Sequence, residues 1–322
     1  MNGNDPTDAG APHTANIHTL PPFQPRPGAP TRPEADSAPA PDSVPTGDSV
    51  ESWSGKDRGD ENFPVGSLLI RPDLRRHVHA FYAFARNADD IADSPILSPE
   101  EKLTRLDVME AVLIGLRDEG APSAVRLRES LAETGVSPRH SRDLLHAFRQ
   151  DATKRRYESW DELYDYCRYS AMPVGRHVLD LHGEDPATTH APSDALCAAL
   201  QVLNHLQDCA KDLRALDRCY LPEDMLAEAG ASVDDVARPA ETPGLRHVFD
   251  GLLDRMDTLN QTAWGLPRNT RDRRLRLETA VIVHLSRRLT RRLRHGDPLA
   301  ARVKLTRPDA ALSILGALRF LA

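Results

Sequence analysis

The sequence predicts an all-α protein, and two observations favour that fold class. Apolar residues recur with a spacing near 3.6 over long segments, which proline or glycine interrupts at intervals that suit helices. Aromatic residues make up only 5% of the 322 residues, and clusters of β-branched residues are sparse, which disfavours strands. We therefore expect a single domain of roughly eight to ten helices.

The start of the chain differs from the rest. Residues 1–50 hold 11 of the 26 prolines and a net charge of −4, whereas the whole chain has a formal charge of −7. Residues 1–58 have almost no periodic apolar pattern, so they cannot bury enough surface to offset the entropy of ordering. We expect a disordered leader over residues 1–58 and a helical domain over residues 59–322. Residues 51–322 therefore carry a net charge of only about −3. This nearly neutral charge disfavours the interpretation that the main task of the protein is binding nucleic acid.

Three further observations bear on location. The N-terminus has no basic-then-apolar signal peptide, and the longest apolar runs are far short of the ~20 residues that a membrane span needs. The four cysteines form no CxxC pair. We expect a cytoplasmic protein with reduced thiols that does not cross a bilayer.

Helix boundaries can be predicted from proline, glycine and capping residues. Ser98 precedes Pro99 and two glutamates, a pattern typical of an N-cap with proline at the first helical position, and Ser137 before Pro138 repeats it. The predicted breaks fall at residues 95–99, 120–122, 135–138, 183–192, 239–243 and 296–298.

The first acidic helix is predicted over residues 78–93. On a helical wheel of ~100° per residue, five polar side chains share one narrow face of an otherwise mostly apolar helix. They are Tyr82, Arg86, Asp89, Asp90 and Asp93. A D-D-x-x-D segment alone is commonly a solvated face. Here the apolar flanks predict burial, which is costly for three carboxylates beside one arginine unless further cations are present.

The second acidic helix is predicted over residues 201–212. Asn204, Asp208 and Asp212 lie at i, i+4 and i+8, and Gln201 falls within the same arc. Carboxylate and amide oxygens suit Mg²⁺, which commonly shares itself with substrate phosphates, although ordinary surface pairing is the alternative. Two such stripes facing each other would hold a diphosphate through Mg²⁺ and assist its departure from an allylic or cyclopropylcarbinyl carbon. Apolar walls would protect the resulting carbocation from water.

From about residue 61 to the C-terminus, the chain resembles the squalene/phytoene synthases, all-α class I isoprenoid synthases with a central cavity. The resemblance rests on four segments in the family's order. They are Y-A-F-A-R-x-x-D-D-x-x-D at residues 82–93, Y-C-x-x-x-A-x-x-V-G at residues 166–175, Q-x-x-N-x-x-x-D-x-x-x-D at residues 201–212, and R-x-Y-L-P at residues 218–222.

The resemblance also implies roles for individual residues. The implied Mg²⁺ ligands are Asp89, Asp90, Asp93, Asn204, Asp208 and Asp212. The implied diphosphate-binding or catalytic residues are Tyr82, Arg86, Tyr166 and Arg218. The implied cavity and substrate-binding residues are Phe63, Ala171, Gly175, Gln201, Gln207 and Tyr220.

The segment E-N-F-P-V-G-S at residues 61–67 narrows the resemblance to the family's hopanoid branch, the hydroxysqualene synthases. These enzymes ionise presqualene diphosphate and capture the rearranged cation with water. Condensing members carry a Ser/Lys-containing element here that helps to grip a diphosphate, whereas this chain has Glu61 and Asn62. We hypothesise that Glu61 and Asn62 position the water; capping a helix is the alternative.

The chain departs from the family in two places. Gln207 stands where the family often has arginine, and the spacing from Asp212 to Tyr220 is one residue longer than in many relatives. Near the C-terminus, Arg302 is a candidate for a family arginine that reaches the diphosphate.

Three other segments allow more than one interpretation. The basic segment at residues 154–157 fits either the lip of a diphosphate site or surface ion pairs. Ten arginines within residues 268–294 fit a solvated helix face, a membrane surface or a nucleic-acid site. Residues 310–321 form a short amphipathic end that is either core or membrane-docking.

The leading hypothesis is a Mg²⁺-dependent lyase that converts presqualene diphosphate and water to hydroxysqualene and diphosphate for hopanoid synthesis. Its expected partners are the isoprenoid diphosphate, the enzymes that make presqualene diphosphate and reduce hydroxysqualene, and a membrane surface, with no nucleic acid. The first alternative is a condensing prenyltransferase that makes presqualene diphosphate, squalene or phytoene. The second is a non-enzymatic helical protein that binds a membrane surface or nucleic acid.

Overall fold

The computed structural model describes residues 49–51 and 69–320, all within one compact unit, residues 45–322. Most of the predicted leader, together with Glu61, Asn62 and Phe63, lies outside the described residues. Two of the described residues of the leader contact the start of a helix: the Val50 amide donates to the Gly120 carbonyl (2.9 Å), and Glu51 accepts from the Ser123 amide (2.8 Å).

The all-α prediction is confirmed: the described residues form thirteen α-helices, a 3₁₀-helix at Leu318–Phe320 and no strand, and ten of the α-helices have at least ten residues. The first half of the domain contains α1 (Arg75–Asp93), α2 (Pro99–Leu113), α3 (Pro122–Thr134), α4 (Arg139–Thr153), α5 (Trp160–Ser170) and α6 (Met172–Leu181). The second half contains α7 (Pro186–Leu216), α8 (Glu223–Glu228), α9 (Val233–Val236), α10 (Pro243–Ala263), α11 (Gly265–Asn269), α12 (Arg273–His295) and α13 (Arg307–Ala317).

The predicted helix starts are confirmed in one case and shifted in the other. Ser98 caps α2 in a complete capping box: its hydroxyl accepts from the Glu101 amide (3.2 Å), and Glu101 accepts from the Ser98 amide (2.8 Å). At α4 the Ser137 hydroxyl accepts from the Arg139 amide (3.2 Å), and α4 begins at Arg139, one residue later than expected.

The predicted break at residues 183–192 is wrong in its extent, because α7 begins at Pro186 and continues through Pro192. Proline lacks an amide hydrogen, so Pro192 leaves the carbonyl four residues earlier without its helical donor. The Asn269 side-chain amide donates to that Thr188 carbonyl (2.7 Å) and replaces the missing hydrogen bond. A side chain from α11 thus allows the 31-residue helix to tolerate an internal proline.

The helices pack around two large hydrophobic clusters. One cluster joins α1, α2, α3 and α4, and includes the fully buried Phe84, Ile91 and Leu106. The other joins α5, α7, α10 and α12, and includes Leu203, Leu206 and Phe249. The two predicted acidic helices therefore belong to different clusters. In the described part of the chain, no helix is long and apolar enough to cross a membrane.

Candidate active site

The charged face of α1 lies at the boundary between protein and solvent. Arg86 contacts Asp89 (3.3 Å) one turn away and Asp90 (3.0 Å) on the same helix. Asp90 is buried, whereas the carboxylates of Asp89 and Asp93 remain about one third and one quarter exposed. Because Tyr82 is half-buried on the same face, the structure brings together all five residues of the predicted stripe.

Arg218 connects this stripe to the rest of the domain. Its side chain is only 4% exposed, and Nη1 donates to Asp93 Oδ1 (2.8 Å). Nη2 donates to the carbonyls of Ala92 (3.3 Å) and Asp151 (3.0 Å). A buried guanidinium with a carboxylate and two carbonyls as acceptors fixes the C-terminal end of α1 against α4. The diphosphate-binding role expected of Arg218 stays a prediction.

The segment that carries Arg218 is positioned by the basic segment before α5. The Cys219 amide donates to the Arg155 carbonyl (3.0 Å), the Glu223 amide donates to the Tyr157 carbonyl (2.9 Å), and Tyr157 and Pro222 form an isolated β-bridge. The basic segment thus aligns R-x-Y-L-P beside α1. Of its charges, Lys154 pairs with Glu162, and Arg156 pairs with Asp217 (2.7 Å). Surface pairing is therefore the observed fate of these two cations.

The acidic face of α7 has fewer cations. Asp208 contacts Arg302 at 3.4 Å through each carboxylate oxygen, and Arg302 is half exposed. Asn204 and Asp212, one turn on either side of Asp208, are half-buried on the same face. Arg302, which no motif identified, is thus brought to the acidic stripe by the chain after α12.

The two stripes lie close enough for their charges to interact. Burial, with smaller contributions from the Asp208 and Asp93 carboxylates, raises the pKa of Asp212 to about 7, and Lys211 and Arg218 oppose the shift. The Arg218 amide donates to the Asp212 carbonyl (3.3 Å), and the Arg218 guanidinium donates to Asp93 of α1 (2.8 Å), so the C-terminal ends of the two stripes lie beside the same residue. This excess of negative charge would be relieved by a bound cation.

The donor set suits a hard divalent cation that is shared with a substrate. Carboxylates from both helices remain accessible, and their oxygens are the ligands that Mg²⁺ prefers. Among the described residues, no three His, Cys, Asp or Glu side chains converge closely enough to hold an ion by themselves. This arrangement fits an ion that takes its remaining ligands from phosphate oxygens and water.

An aromatic cluster lies beside Arg218. Tyr166 donates to Asp151 Oδ2 (2.8 Å) and Tyr220 donates to Asp151 Oδ1 (3.4 Å). His205 stacks on Tyr220 with ring centroids 3.6 Å apart, and burial together with Arg218 lowers its pKa to about 3. The imidazole is therefore neutral at physiological pH. Tyr157 completes the cluster, with its centroid 5.4 Å from those of both Tyr166 and Tyr220.

Sequence reasoning missed three residues of this region. Asp151 accepts from two tyrosines at once, His205 forms part of the aromatic cluster, and Lys102 is 6% exposed near Arg218. Burial and the neighbouring cations Arg218 and Arg155 lower the pKa of Lys102, while Asp93 raises it. The only sequence signal for Lys102 is that a charged residue stands at a position where the spacing of α2 predicts a core residue.

The remaining predicted residues are placed as follows. Gln201 contacts His205 through its side chain (3.2 Å), and Gln207 is buried and donates to the Val303 carbonyl (2.6 Å). Ala171 separates α5 from α6, so the Y-C-x-x-x-A-x-x-V-G segment lies on two consecutive helices. The reason is Pro173, which lacks an amide hydrogen for continuing α5.

Gly175 is required by helix packing. A methyl group at this position of α6 would come within 2.7 Å of the Cys197 sulfur and closer still to the Ser193 hydroxyl, both on α7. Any larger residue would push α6 away from the helix that carries the second acidic stripe. The cavity-lining role expected of Gly175 stays a prediction, as does the central cavity.

The fold and the site define a class of protein: an all-helical enzyme with two facing acidic stripes, as expected of a class I isoprenoid synthase. Residues 56–309 match the squalene/phytoene synthase family, and the chain belongs to that family. The chain is 51% identical to a hydroxysqualene synthase of Rhodopseudomonas palustris over 265 residues, which cover 82% of this chain and 90% of the relative.

Two further comparisons agree. A hydroxysqualene synthase of Sinorhizobium fredii is 47% identical over 259 residues, covering 80% of this chain and 88% of the relative. The crystal structure of squalene synthase HpnC from Alicyclobacillus acidocaldarius superposes with a TM-score of 0.65 at 32% identity, covering 74% of this chain and 90% of that chain. These matches confirm the family resemblance and the fold class.

Proposed function

We propose that this protein converts presqualene diphosphate and water to hydroxysqualene and diphosphate. The observation that carries the proposal is the pairing of the two acidic stripes through Arg218, whose guanidinium bonds Asp93 of α1 and whose amide donates to the Asp212 carbonyl of α7. This geometry supports chemistry at a diphosphate. The similarity to hydroxysqualene synthases of two bacteria supports this particular reaction.

We propose that Mg²⁺ is held by oxygen atoms of the two stripes and of the diphosphate. The protein ligands would come from Asp89 and Asp93 of α1 and from Asn204, Asp208 and Asp212 of α7. Asp90 contributes less directly, because its carboxylate is buried and contacts Arg86 (3.0 Å). When bound, the metal supplies positive charge that stabilises the departing diphosphate.

In the first step, the bond between the cyclopropylcarbinyl carbon and the diphosphate oxygen breaks, and both electrons leave with the oxygen. Arg218 and Arg86 keep the α1 carboxylates in fixed positions during this step. The cationic carbon skeleton then rearranges. The faces of Tyr166, Tyr220 and the neutral His205 offer π-electron density to this cation, whereas a protonated His205 would repel it.

In the second step, a water oxygen adds to the rearranged cation and loses a proton, which gives the alcohol. We assign the positioning of this water to Glu61 and Asn62, on the sequence argument that they replace a diphosphate-gripping element. A Glu61→Gln enzyme that forms hydroxysqualene at the unaltered rate would contradict Glu61 as a base. Asn62→Ala, tested alongside it, separates positioning of the water from proton removal.

The proposed reaction also implies neighbours in metabolism. A prenyltransferase must supply the cyclopropylcarbinyl diphosphate, and a reductase must remove the hydroxyl group if the product is to become squalene. We propose that the protein works in the cytoplasm beside these two enzymes. The condensing alternative would instead make presqualene diphosphate, squalene or phytoene from two prenyl diphosphates.

One experiment separates the two reactions. The full chain is incubated with presqualene diphosphate and, separately, with farnesyl diphosphate. Each substrate is tested with and without Mg²⁺, NADPH is omitted throughout, and the products are identified by mass spectrometry. We expect hydroxysqualene from the first substrate only, and only with the metal present. Presqualene diphosphate or a phytoene-type hydrocarbon from a prenyl diphosphate would establish the condensing reaction instead.

A further inference from the structure

The C-terminal helix α13 exposes its apolar residues and buries its polar ones. Its buried positions are Asp309, Ser313 and Ala317, whereas Ile314 and Leu315 are 52% and 65% exposed. Leu312 and Leu318, at 48% and 45%, extend the same surface. These four account for half of the eight large apolar side chains that are exposed in the described residues. A contiguous exposed apolar surface of this kind marks an interaction site.

This orientation of α13 is fixed by contacts with α12. Arg292 donates to Asp309 (2.6 Å), and Thr306 and Asp309 form a capping box at the start of α13. At Gly316 a methyl group would approach the His284 ring to 2.7 Å, so the two helices are in close contact there. Because polar and small residues hold α13 on α12, the apolar residues cannot turn inward without breaking these contacts.

The surface next to α13 is strongly basic. Residues 268–320 hold fourteen Lys and Arg and four Asp and Glu, a net charge of +10 in a chain whose total is −7. A cavity of about 620 Å³ between α12 and the following chain is lined by more basic than acidic side chains: Arg288, Arg291, Arg292, His295, Arg302 and Lys304 against Asp297 and Asp309. A second cavity of about 370 Å³ is lined by Arg268, Arg276 and Arg319.

An aromatic anchor lies at the end of this surface. Trp264 contacts the Phe320 ring edge-on at 5.5 Å, and the Arg319 guanidinium lies 4.5 Å from the Trp264 centroid. Arg287 lies over the same indole at 5.0 Å. Tryptophan and arginine are side chains that favour the interface between lipid headgroups and water.

We propose that α13 and the basic residues beside it form a docking surface for an anionic phospholipid bilayer. The exposed leucines and isoleucine enter the headgroup region, and the flanking arginines and lysine contact lipid phosphates. Charge complementarity favours this occupant over a second copy, since a symmetric dimer would bring together two copies of the arginine-lined cavities. Nucleic acid would use the arginines but would leave the apolar face of α13 exposed.

The inference goes beyond the proposed reaction and does not depend on it. Its test is flotation of the full-length protein with vesicles of phosphatidylcholine alone or with about 30% phosphatidylglycerol, at about 0.1 M and about 0.5 M NaCl. We expect binding to the anionic vesicles at low salt, weaker binding at high salt, and little binding to the neutral vesicles.

Two double variants test the apolar face. Leu312→Gln with Leu315→Gln should weaken binding to anionic vesicles about tenfold or more, because two apolar side chains no longer enter the bilayer. The matched control is Ile96→Gln with Leu116→Gln, which changes two exposed apolar residues elsewhere (89% and 77% exposed) and should leave binding unaltered. Equal binding of both double variants would overturn the proposal.

A third double variant tests the charge. Arg291→Gln with Lys304→Gln removes two cations from the larger cavity and should weaken binding to anionic vesicles on the order of tenfold, with no effect on neutral vesicles. Light scattering in the absence of lipid measures the mass. A dimer that the Leu312→Gln/Leu315→Gln variant converts to a monomer would assign the surface to a second copy, and tighter binding to duplex DNA than to vesicles would assign it to nucleic acid.

Discussion

The acidic stripes of α1 and α7 use the same residue types but differ in how their charge is compensated. On α1, Arg86 lies one turn before Asp89 and Asp90, and the buried Arg218 bonds Asp93 at 2.8 Å. On α7, Asp208 has one half-exposed arginine at 3.4 Å, and the pKa of Asp212 is raised to about 7. The comparison indicates that α1 is organised in advance by the protein's own cations. We expect the α7 stripe to depend on a cation that arrives with the substrate.

The largest effect is expected from removing negative charge on α7. Asp208→Asn with Asp212→Asn should lower kcat/KM for presqualene diphosphate by about 10³-fold or more, since no other group on this helix replaces two carboxylates as metal ligands. Stability should hold or rise, because two neighbouring carboxylates no longer repel each other. Steady-state kinetics and urea unfolding measure both effects.

The matched control for this variant is Asp118→Asn, whose carboxylate is fully exposed. We expect its kinetics and stability to equal those of the unaltered enzyme. If the α7 variant keeps more than a tenth of the activity, α7 does not hold a catalytic metal.

The second effect concerns the internal cation of α1. Arg218→Gln should lower the free energy of unfolding by about 3–5 kcal/mol, because it leaves Asp93 and the Asp151 carbonyl without their buried donor. Arg156→Gln is the control: it removes the arginine directly before Tyr157, which pairs with the largely exposed Asp217, and should cost under about 1 kcal/mol. Equal destabilisation in urea unfolding would show that Arg218 does not organise the stripe.

A third effect depends on pH. Burial, with a smaller contribution from Asp93, raises the pKa of Asp151 to about 6, while Arg218, Tyr166 and Tyr220 oppose the shift. The folded protein therefore keeps a proton on Asp151 that the unfolded chain releases near pH 4. Stability should fall as pH rises from about 4 to about 6, by up to about 3 kcal/mol for this group.

Comparison with an isosteric variant isolates this effect. Asp151→Asn cannot ionise at this position, so its free energy of unfolding should fall less between pH 4 and pH 6, keeping only the part that the raised pKa of Asp212 contributes. Chemical unfolding of both proteins across this range measures the difference. A constant difference from pH 4 to pH 8 would mean that Asp151 titrates with an ordinary pKa.

The smallest effect is expected at Lys102, which lies near Asp93 and the two arginines Arg155 and Arg218. Lys102→Met replaces a buried charged side chain with a neutral one of similar length. It should stabilise the protein by up to about 1 kcal/mol and raise KM for the diphosphate about tenfold, because one cation near the diphosphate is lost. A purely structural lysine would change stability and leave KM unaltered.

The sequence predicted the local features of the site well. The wheel placed Tyr82 to Asp93 on one face of α1 because helical periodicity depends only on spacing. It could not predict that Arg218 bonds Asp93, since 125 residues separate them and only the tertiary fold brings them together. The same limit applies to Asp151 and Lys102, which belong to no motif.

The prediction of helix boundaries failed for the same reason. Pro192 was expected to end a break, because a proline disrupts the helical hydrogen bond of its own amide position. The donor that compensates is Asn269, on α11, and its bond to the Thr188 carbonyl spans 81 residues of sequence. A rule based on neighbouring residues cannot include such a partner.

Pro192 divides α7 into two parts that we expect to open at different rates. Since the amide of residue 192 is absent, the first turn and a half of α7 is held by fewer helical hydrogen bonds and by the side chain of Asn269. In hydrogen–deuterium exchange, amides before Pro192 should open as a separate unit and should not respond to a diphosphate ligand. Amides around residues 201–212 should be slowed by the ligand. The end of α7 that holds α11 and the end that holds the acidic stripe would then behave as two cooperative units of one continuous helix.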